Sequence, residues 1–246
     1  MEAILGADNV EVEQTVLAPK AGLAWLRWAA IAALMSSALF FSRQISGFPL
    51  LFTGLSLVCI QFAHLVVVYE SFLYREFIDP FYEKQKSQNI IGRIRRRSEI
   101  AGPIKHLFII SGHHDSAIQF NWITYFGFGY FFVLVFLFIW LWAILIGAGS
   151  EFFCLLLLGM SFPWIQAFMV WTNLLITPLG CLFAFLFLGP QKNGGTVPGA
   201  VDNLSACAVA LAVGRILARS PELVPPNTEI RLITFGSEEA FTRGSL

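Results

Sequence analysis

Ser111-Gly112-His113-His114-Asp115-Ser116 follows the short apolar run Leu107-Phe108-Ile109-Ile110, and that junction decides how the chain is read. The run reads as a buried β-strand of about four to six residues. A strand that ends in Gly and delivers His-x-Asp at its C-terminal edge stands where open α/β sheets keep their ligand sites. There His113 can bind a metal through one ring nitrogen while Asp115 accepts a hydrogen bond from the other. A three-residue pattern also arises by chance, so its meaning depends on the residues that follow.

Composition sets the setting. Of 246 residues, 57% are hydrophobic and only 13% charged, and Phe occurs 25 times. Soluble domains carry about a quarter charged residues, so the chain reads as a membrane protein with a smaller polar part. Net charge is zero, which offers no case for nucleic acid. Cys59, Cys154, Cys181 and Cys207 have no paired spacing and read as small apolar fillers. The acidic N-terminus lacks the basic region of a cleaved signal peptide.

Along the chain, residues 1–20 are polar and expected to be frayed or packed on the membrane face. Two apolar runs, 22–41 and 48–69, each approach the ~20 residues of a membrane-crossing helix and form a hairpin. His64 lies in the second run, as a proton-path residue or as a partner for a neighbouring helix. Residues 70–105 are basic: Asn89–Ile94 reads as a strand with Arg95-Arg96-Arg97 at its exit, either a solvated lipid-facing patch or a phosphate site. Trp122 to Gly147 is a third apolar span, with a tight turn at Gly149 and Glu151. The next apolar stretch, 152–189, would measure roughly 57 Å as one helix, too long for one crossing. Pro163 is expected to divide it into a short re-entrant piece and a span near 164–188, kinked at Pro178 and carrying Asn173 as interhelical glue. Beyond a loop at 192–199, Asp202 reads as the N-cap of a small-residue helix ending near Arg219, and Glu229–Phe235 alternates as a strand before Gly236-Ser237-Glu238-Glu239.

Metal-type ligands thus fall three times at a strand end or helix start: His113 with Asp115, Asp202, and Glu238 with Glu239. Asp202 could simply cap its helix, and Glu238-Glu239 could be a solvated pair. Two adjacent carboxylates just past a buried strand are nonetheless awkward without positive charge nearby.

The order "GHHDS", "PGAVDNLSACAVAL", "LITFGSEEAFTRGS", preceded by "NIIGRI", closely resembles the co-catalytic di-zinc aminopeptidases, a clan that includes glutaminyl cyclases and transferrin-receptor-like domains. The resemblance covers about residues 88–120 and 190–246, with Asp202 standing 36 positions before Glu238. It implies that His113 binds zinc with Asp115 orienting it, Asp202 bridges two zinc ions, Glu239 is a further ligand, and Glu238 is the general base. His114 falls between ligand and orienter, as pocket wall or supporting residue. The implied fold is an α/β peptidase domain, a mixed sheet with flanking helices, interrupted by a transmembrane module and preceded by a transmembrane hairpin. Residues 1–69 are then tail and hairpin, 70–121 and 190–246 the two parts of the peptidase domain, and 122–189 the inserted module, spans about 122–147 and 164–188.

Two departures stand out. The module separates His113 from Asp202 by 89 positions, where the family has a short connection; an even number of crossings lets the soluble fold close. The family also uses a later Asp and His, and nothing after Glu239 supplies them, so the chain is expected to be a truncated fragment, incompetent alone. The resemblance implies a multi-pass membrane zinc metallopeptidase acting on peptides, an aminopeptidase by type. The alternatives are a non-catalytic peptidase-like receptor or scaffold, or a single-zinc glutaminyl-cyclase-like acyltransferase. Eight of 16 Lys and Arg lie between Glu70 and Gln119, against Arg43 alone in an opposite loop, which places the peptidase part on the cytoplasmic side.

Overall fold

The computed structural model describes residues 1–96, 103–189 and 195–243. Arg97, loop residues 192–194 and the last three positions lie outside the described residues. The chain divides into two compact units, one of Met1–Gly22, Phe81–Ile118 and Thr196–Leu246, the other of Leu23–Pro80 and Gln119–Gly195. The N-terminal tail therefore belongs with the two sheet-forming segments rather than with the helical hairpin.

The first unit is built on a four-stranded mixed sheet ordered β1-β2-β4-β3. Its strands are β1 (Val10–Leu17), β2 (Gln85–Arg95), β3 (His106–His113) and β4 (Thr228–Phe235). β2 runs antiparallel to β1 and β4, whereas β3 runs parallel to β4. β4 is buried along nearly its whole length, as a central strand with apolar residues on both faces should be. The helix α8 (Ser205–Arg219) turns Cys207, Ala210 and Gly214 inward, a stripe narrow enough to lie close on the sheet. Ile94, Val224, Ile230 and Leu232 form the core, with Leu5 and Leu217 against it.

Two expectations change here. Residues 1–20 are not a frayed tail: they form the short helix α1 (Glu2–Leu5) and β1. The reason is edge pairing, since β1 completes the open side of β2 from Val10↔Gly92 to Leu17↔Gln85. Glu11 then meets Arg93, and Glu13 accepts from Asn89 Nδ2. The run Leu107–Ile110 is a strand but not a buried one, because it lies at the sheet edge with Leu107, Phe108 and Ile109 about half exposed. An apolar run indicates a strand without saying where in the sheet it sits.

Across β2 and β4, Arg95 pairs with Glu229, which Arg231 also contacts, at 2.9 and 2.7 Å. Arg95 is thus an ion-pair partner rather than part of a solvated basic patch. Burial alone would push the Glu229 carboxyl up, yet the two guanidiniums outweigh it and hold the group below the usual glutamate range.

In the second unit, α2 (Trp25–Ser46) and α3 (Pro49–Val67) form the expected hairpin, closed by Gly47 in the left-handed conformation that glycine adopts without strain. α4 (Asn121–Phe126) leads into α5 (Tyr130–Leu158), and α6 (Pro163–Trp171) continues through a π turn, Thr172–Ile176, into α7 (Thr177–Phe185). The turn expected at Gly149 and Glu151 is absent. Helix continues to Leu158, so residues after 152 extend α5 instead of forming a re-entrant piece. Glu151 tolerates this because it is fully buried against Arg43 and Ser161. Arg43 is likewise a buried helix residue, not a loop cation, with its guanidinium 4.5 Å from the Phe40 ring centre. Pro163 opens a helix at its first turn, where a missing N–H costs nothing. The π turn just before Pro178 widens the backbone where proline would clash with the carbonyl four residues back.

Small residues set the packing. Ala29, Ala30 and Ala33 let neighbouring helices approach α2, and a Cβ on Gly180 would lie 2.4 Å from Trp140. Ser37 donates to Asn173, which in turn donates to the Met169 carbonyl. His64 bonds to the Ile60 carbonyl of its own helix and meets Trp142 edge-on. Among the described residues, five segments are long and apolar enough to cross a membrane by length and composition: Trp25–Ser46, Pro49–Phe72, Asn121–Leu158, Pro163–Phe185 and Ala200–Arg219. The first four build this unit; the last contains α8, whose buried stripe lies on the sheet.

Two measurements test these contacts. Glu229 contributes stability that is full above the ordinary glutamate range and is lost as pH falls through its lowered pKa. Hydrogen-exchange protection of β2 and β4 should therefore drop between about pH 5 and pH 3, and Glu229→Gln should flatten that dependence. Arg43→Ala or Glu151→Ala strands a buried charge, with an expected cost of ~3–5 kcal/mol, whereas Arg43→Met with Glu151→Leu should recover most of it in thermal unfolding.

Candidate metal centre

Parallel pairing of β3 and β4 runs in register from His106↔Thr228 to His113↔Phe235. Both strands consequently end at the same edge, and the ladder continues one step further where His114 N–H donates to the Phe235 carbonyl. His113 is thereby set beside the turn that follows β4, the turn that carries Glu238 and Glu239. This is the C-terminal edge of the parallel pair, the usual place for ligands in such sheets.

Asp115 ties the two strand ends together. Its Oδ1 accepts from Glu238 N–H at 3.2 Å and its Oδ2 from Glu239 N–H at 2.9 Å. The same Oδ1 lies 3.3 Å from His113 Nδ1, although that nitrogen makes no aligned hydrogen bond. On the other side of the imidazole, Nε2 lies 3.3 Å from Asp202 Oδ1 and 3.4 Å from Glu238 Oε2. One ligand atom each from His113, Glu238 and Glu239 falls within a mutual 4.8 Å. All five residues singled out by sequence therefore meet at one place.

Asp202 arrives differently from its expected role as a helix cap. It sits in the irregular turn Ala200–Leu204 with φ −115° and ψ 95°, α8 begins only at Ser205, and Leu204 holds the N-cap position without a side-chain bond. With its backbone extended, its carboxylate reaches the imidazole instead. Gly199 makes the approach possible: a Cβ there would lie 2.8 Å from Ser116 Oγ and 3.2 Å from the Asp202 carbonyl oxygen.

Electrostatics favour a cation. Asp115, Asp202, Glu238 and Glu239 surround a single imidazole. Burial first, then Asp202 and Glu238, push the Glu239 carboxyl above its usual range, Asp115 adding to this and His113 opposing it. The donor set also fits zinc, which takes His nitrogen and carboxylate oxygen at about 2.0–2.2 Å in a tetrahedron whose edges are then roughly 3.3–3.5 Å. The contact from His113 Nε2 to Asp202 Oδ1 matches that edge length.

Sequence reasoning missed the residues that hold this arrangement. Asn89, buried in β2, donates to Glu13 and accepts from Gly236 N–H at 3.1 Å, fixing the start of the turn after β4. Ser237 Oγ and Ser87 Oγ add a bond of 2.8 Å. Asparagine is depleted in strands, so its place in "NIIGRI" was the available signal. Gly112 was quoted only as a strand terminator. It is a packing position, because a Cβ would lie 2.8 Å from both Ala206 Cβ and Cys207 N. Cys207 Sγ in turn bonds to the His113 carbonyl at 3.3 Å. His114 is exposed at this edge, whereas His64 belongs to the helical unit.

Backbone nitrogen cannot yield to a new methyl, so Gly112→Ala should push α8 from β3 and shift His113. The expected result is a loss of ~1–3 kcal/mol in stability together with weaker zinc retention in equilibrium dialysis. Unchanged zinc affinity would show that the close approach does not position the imidazole.

Residues 188–246, which contain Asp202, α8, β4, Glu238 and Glu239, match the model of Peptidase family M28. Neither the curated proteins nor the solved structures gave a match. The family match supports a zinc metallopeptidase in general, and it rests on the part of the chain that supplies three of the five clustered side chains.

Proposed function

We propose that the chain is a multi-pass membrane zinc metallopeptidase that hydrolyses peptides from the amino end, its four long helices of the second unit spanning the bilayer. The observation that carries this reading is the convergence of His113 with Asp202, Glu238 and Glu239, the last three of which lie in the segment that the family model matches. His113 and Glu239 would hold zinc, and Asp202, the most exposed of the group at 80%, would bridge to a second ion. Zinc, when bound, supplies a water of pKa near ~7 and a polarised scissile carbonyl.

The remaining chemistry belongs to the chain. Asp115 keeps Nδ1 of His113 facing a carboxylate, which leaves Nε2 as the free donor to the centre. Glu238, more open than His113, takes the proton of the attacking water and passes it to the leaving amine. The backbone N–H groups of Glu238 and Glu239, bonded to Asp115, hold that carboxylate in place during both transfers. The basic residues between Glu70 and Gln119 support a cytoplasmic-facing peptidase part; Arg43, as a buried ion-pair partner, no longer counts towards the opposite side.

A second reading, a single-zinc acyltransferase of the glutaminyl-cyclase type, draws on the three-ligand cluster His113, Glu238 and Glu239, which suffices for one ion. Zinc per chain in the complete protein, with the later Asp and His that the family uses, separates the readings: two ions for the first, one for the second, none for a metal-free scaffold. In the complete protein, Glu238→Gln should lower hydrolysis of aminoacyl substrates by about 10²–10⁴-fold while zinc content stays near wild type. His113→Ala and Glu239→Ala should lose zinc and activity together. Retained hydrolysis in Glu238→Gln would remove the general-base assignment.

A further inference from the structure

The turn that carries Glu238 and Glu239 is not held by its own bonds alone. Ser237, Phe241 and Thr242 have φ of 71°, 63° and 56°, in the left-handed region that a residue with a Cβ enters only at a cost. Such backbone persists where its surroundings over-determine it. Within the turn, Thr242 N–H donates to the Glu238 carbonyl and Arg243 Nη1 to the Ala240 carbonyl, both at 2.7 Å. From the β3 side, Asp115 accepts the N–H groups of Glu238 and Glu239. Two further supports lead to the N-terminal segment.

At the start of the turn, Gly236 N–H donates to Asn89 Oδ1, and Asn89 is 3% exposed. An amide can present either its oxygen or its NH₂ to a neighbour, and Glu13 decides which. A carboxylate only accepts, so Glu13 Oε2, 3.1 Å from Asn89 Nδ2, keeps the NH₂ turned to β1 and the oxygen turned to Gly236. At the far end the same segment returns. Ala18 and Ala21 are fully buried, and a Cβ on Gly22 would lie 3.1 Å from the carbonyl carbon and oxygen of Ala240. We propose that the segment from Glu13 to Gly22 is a clasp on the acidic turn, with Glu13, Asn89 and Gly22 as positioning residues for Glu238 and Glu239. The two carboxylates lie between the points of hold, Gly236 and Ala240, so a shift at either end moves both against His113. Misplacing a positioned group by about 1 Å costs on the order of 10²-fold in rate. Under this role β1 sets the metal centre as well as completing the sheet.

This role rests on the metallopeptidase reading, and the test separates the two. The complete protein is loaded with cobalt(II) in place of zinc, because its visible absorption reports the geometry of its ligands, and kcat and KM are measured per bound cobalt. Asn89→Leu and Glu13→Leu should shift the absorption bands and lower kcat by ~10²-fold with KM little changed. Glu13→Gln, which keeps an acceptor for Asn89, should restore both. Gly22→Ala, whose methyl presses on backbone that must give by a few tenths of an ångström, should also shift the bands. Weaker bands at unchanged wavelengths, with unchanged kcat per cobalt, mean loss of folded protein alone and overturn the proposal. A Glu13→Gln variant as impaired as Glu13→Leu overturns it too, as does a Glu13→Leu variant that behaves as wild type. Failure of the wild-type protein to bind cobalt or to hydrolyse peptides overturns the metallopeptidase reading instead. The clasp is then decided by hydrogen exchange at the Glu238 and Glu239 amides: faster exchange in Glu13→Leu supports it, and equal exchange overturns it.

Discussion

Everything at the proposed centre depends on one ladder, the parallel pairing of β3 with β4. Parallel strands finish at the same edge, so register alone brings His113 opposite Phe235 and sets the two acidic residues beyond it. Had the strands run antiparallel, the imidazole and the Glu238-Glu239 pair would lie at opposite ends of the sheet. Asp115 then converts proximity into alignment by accepting two backbone N–H groups from the neighbouring turn. The carboxylate that faces the imidazole is thus the same group that positions the acidic turn.

A parallel pair needs a crossover, and α8 supplies it by lying on β3 and β4. The second segment of the helical unit, Gln119–Gly195, is spliced into that crossover ahead of α8. Such an insertion is tolerated where the points of departure and return are neighbours. In the sheet unit Ile118 bridges Thr196, and Val197 N–H bonds to the Ala117 carbonyl. In the helical unit Phe120 bridges Leu188 in the same antiparallel sense. The sheet unit sees a hairpin-like exit, whatever the length of chain beyond it.

Much of this could be read from residue order, and the failures share a cause. Strand and helix identities followed from apolar periodicity, and the acid and histidine positions followed from motif order. What escaped was placement that depends on a distant partner. Glu151 looked like a turn residue because a lone carboxylate should not be inside a helical bundle; Arg43, 108 residues away, is what allows it there. Residues 1–20 looked like a tail because their alternation of Val and Glu has no meaning until β2 offers an edge. Asp202 read locally as a cap, and only motif order assigned it to the centre, because the imidazole of His113 lay 89 positions upstream. Asn89 and Gly112 escaped for the same reason, since each acts on a segment far along the chain.

The strand order also imposes a schedule on biosynthesis. Among the described strands, β4 is the last to leave the ribosome, yet it occupies the interior of the sheet between β2 and β3. Until it emerges, the half-exposed apolar edge at Leu107–Ile109 has no neighbour to pair with, while all four long helices of the other unit are already made. The nascent polypeptide must therefore carry an unzipped histidine strand while α4 to α7 are synthesised. Closure of the sheet is postponed until β4 has emerged, after the long insertion that separates it from β3.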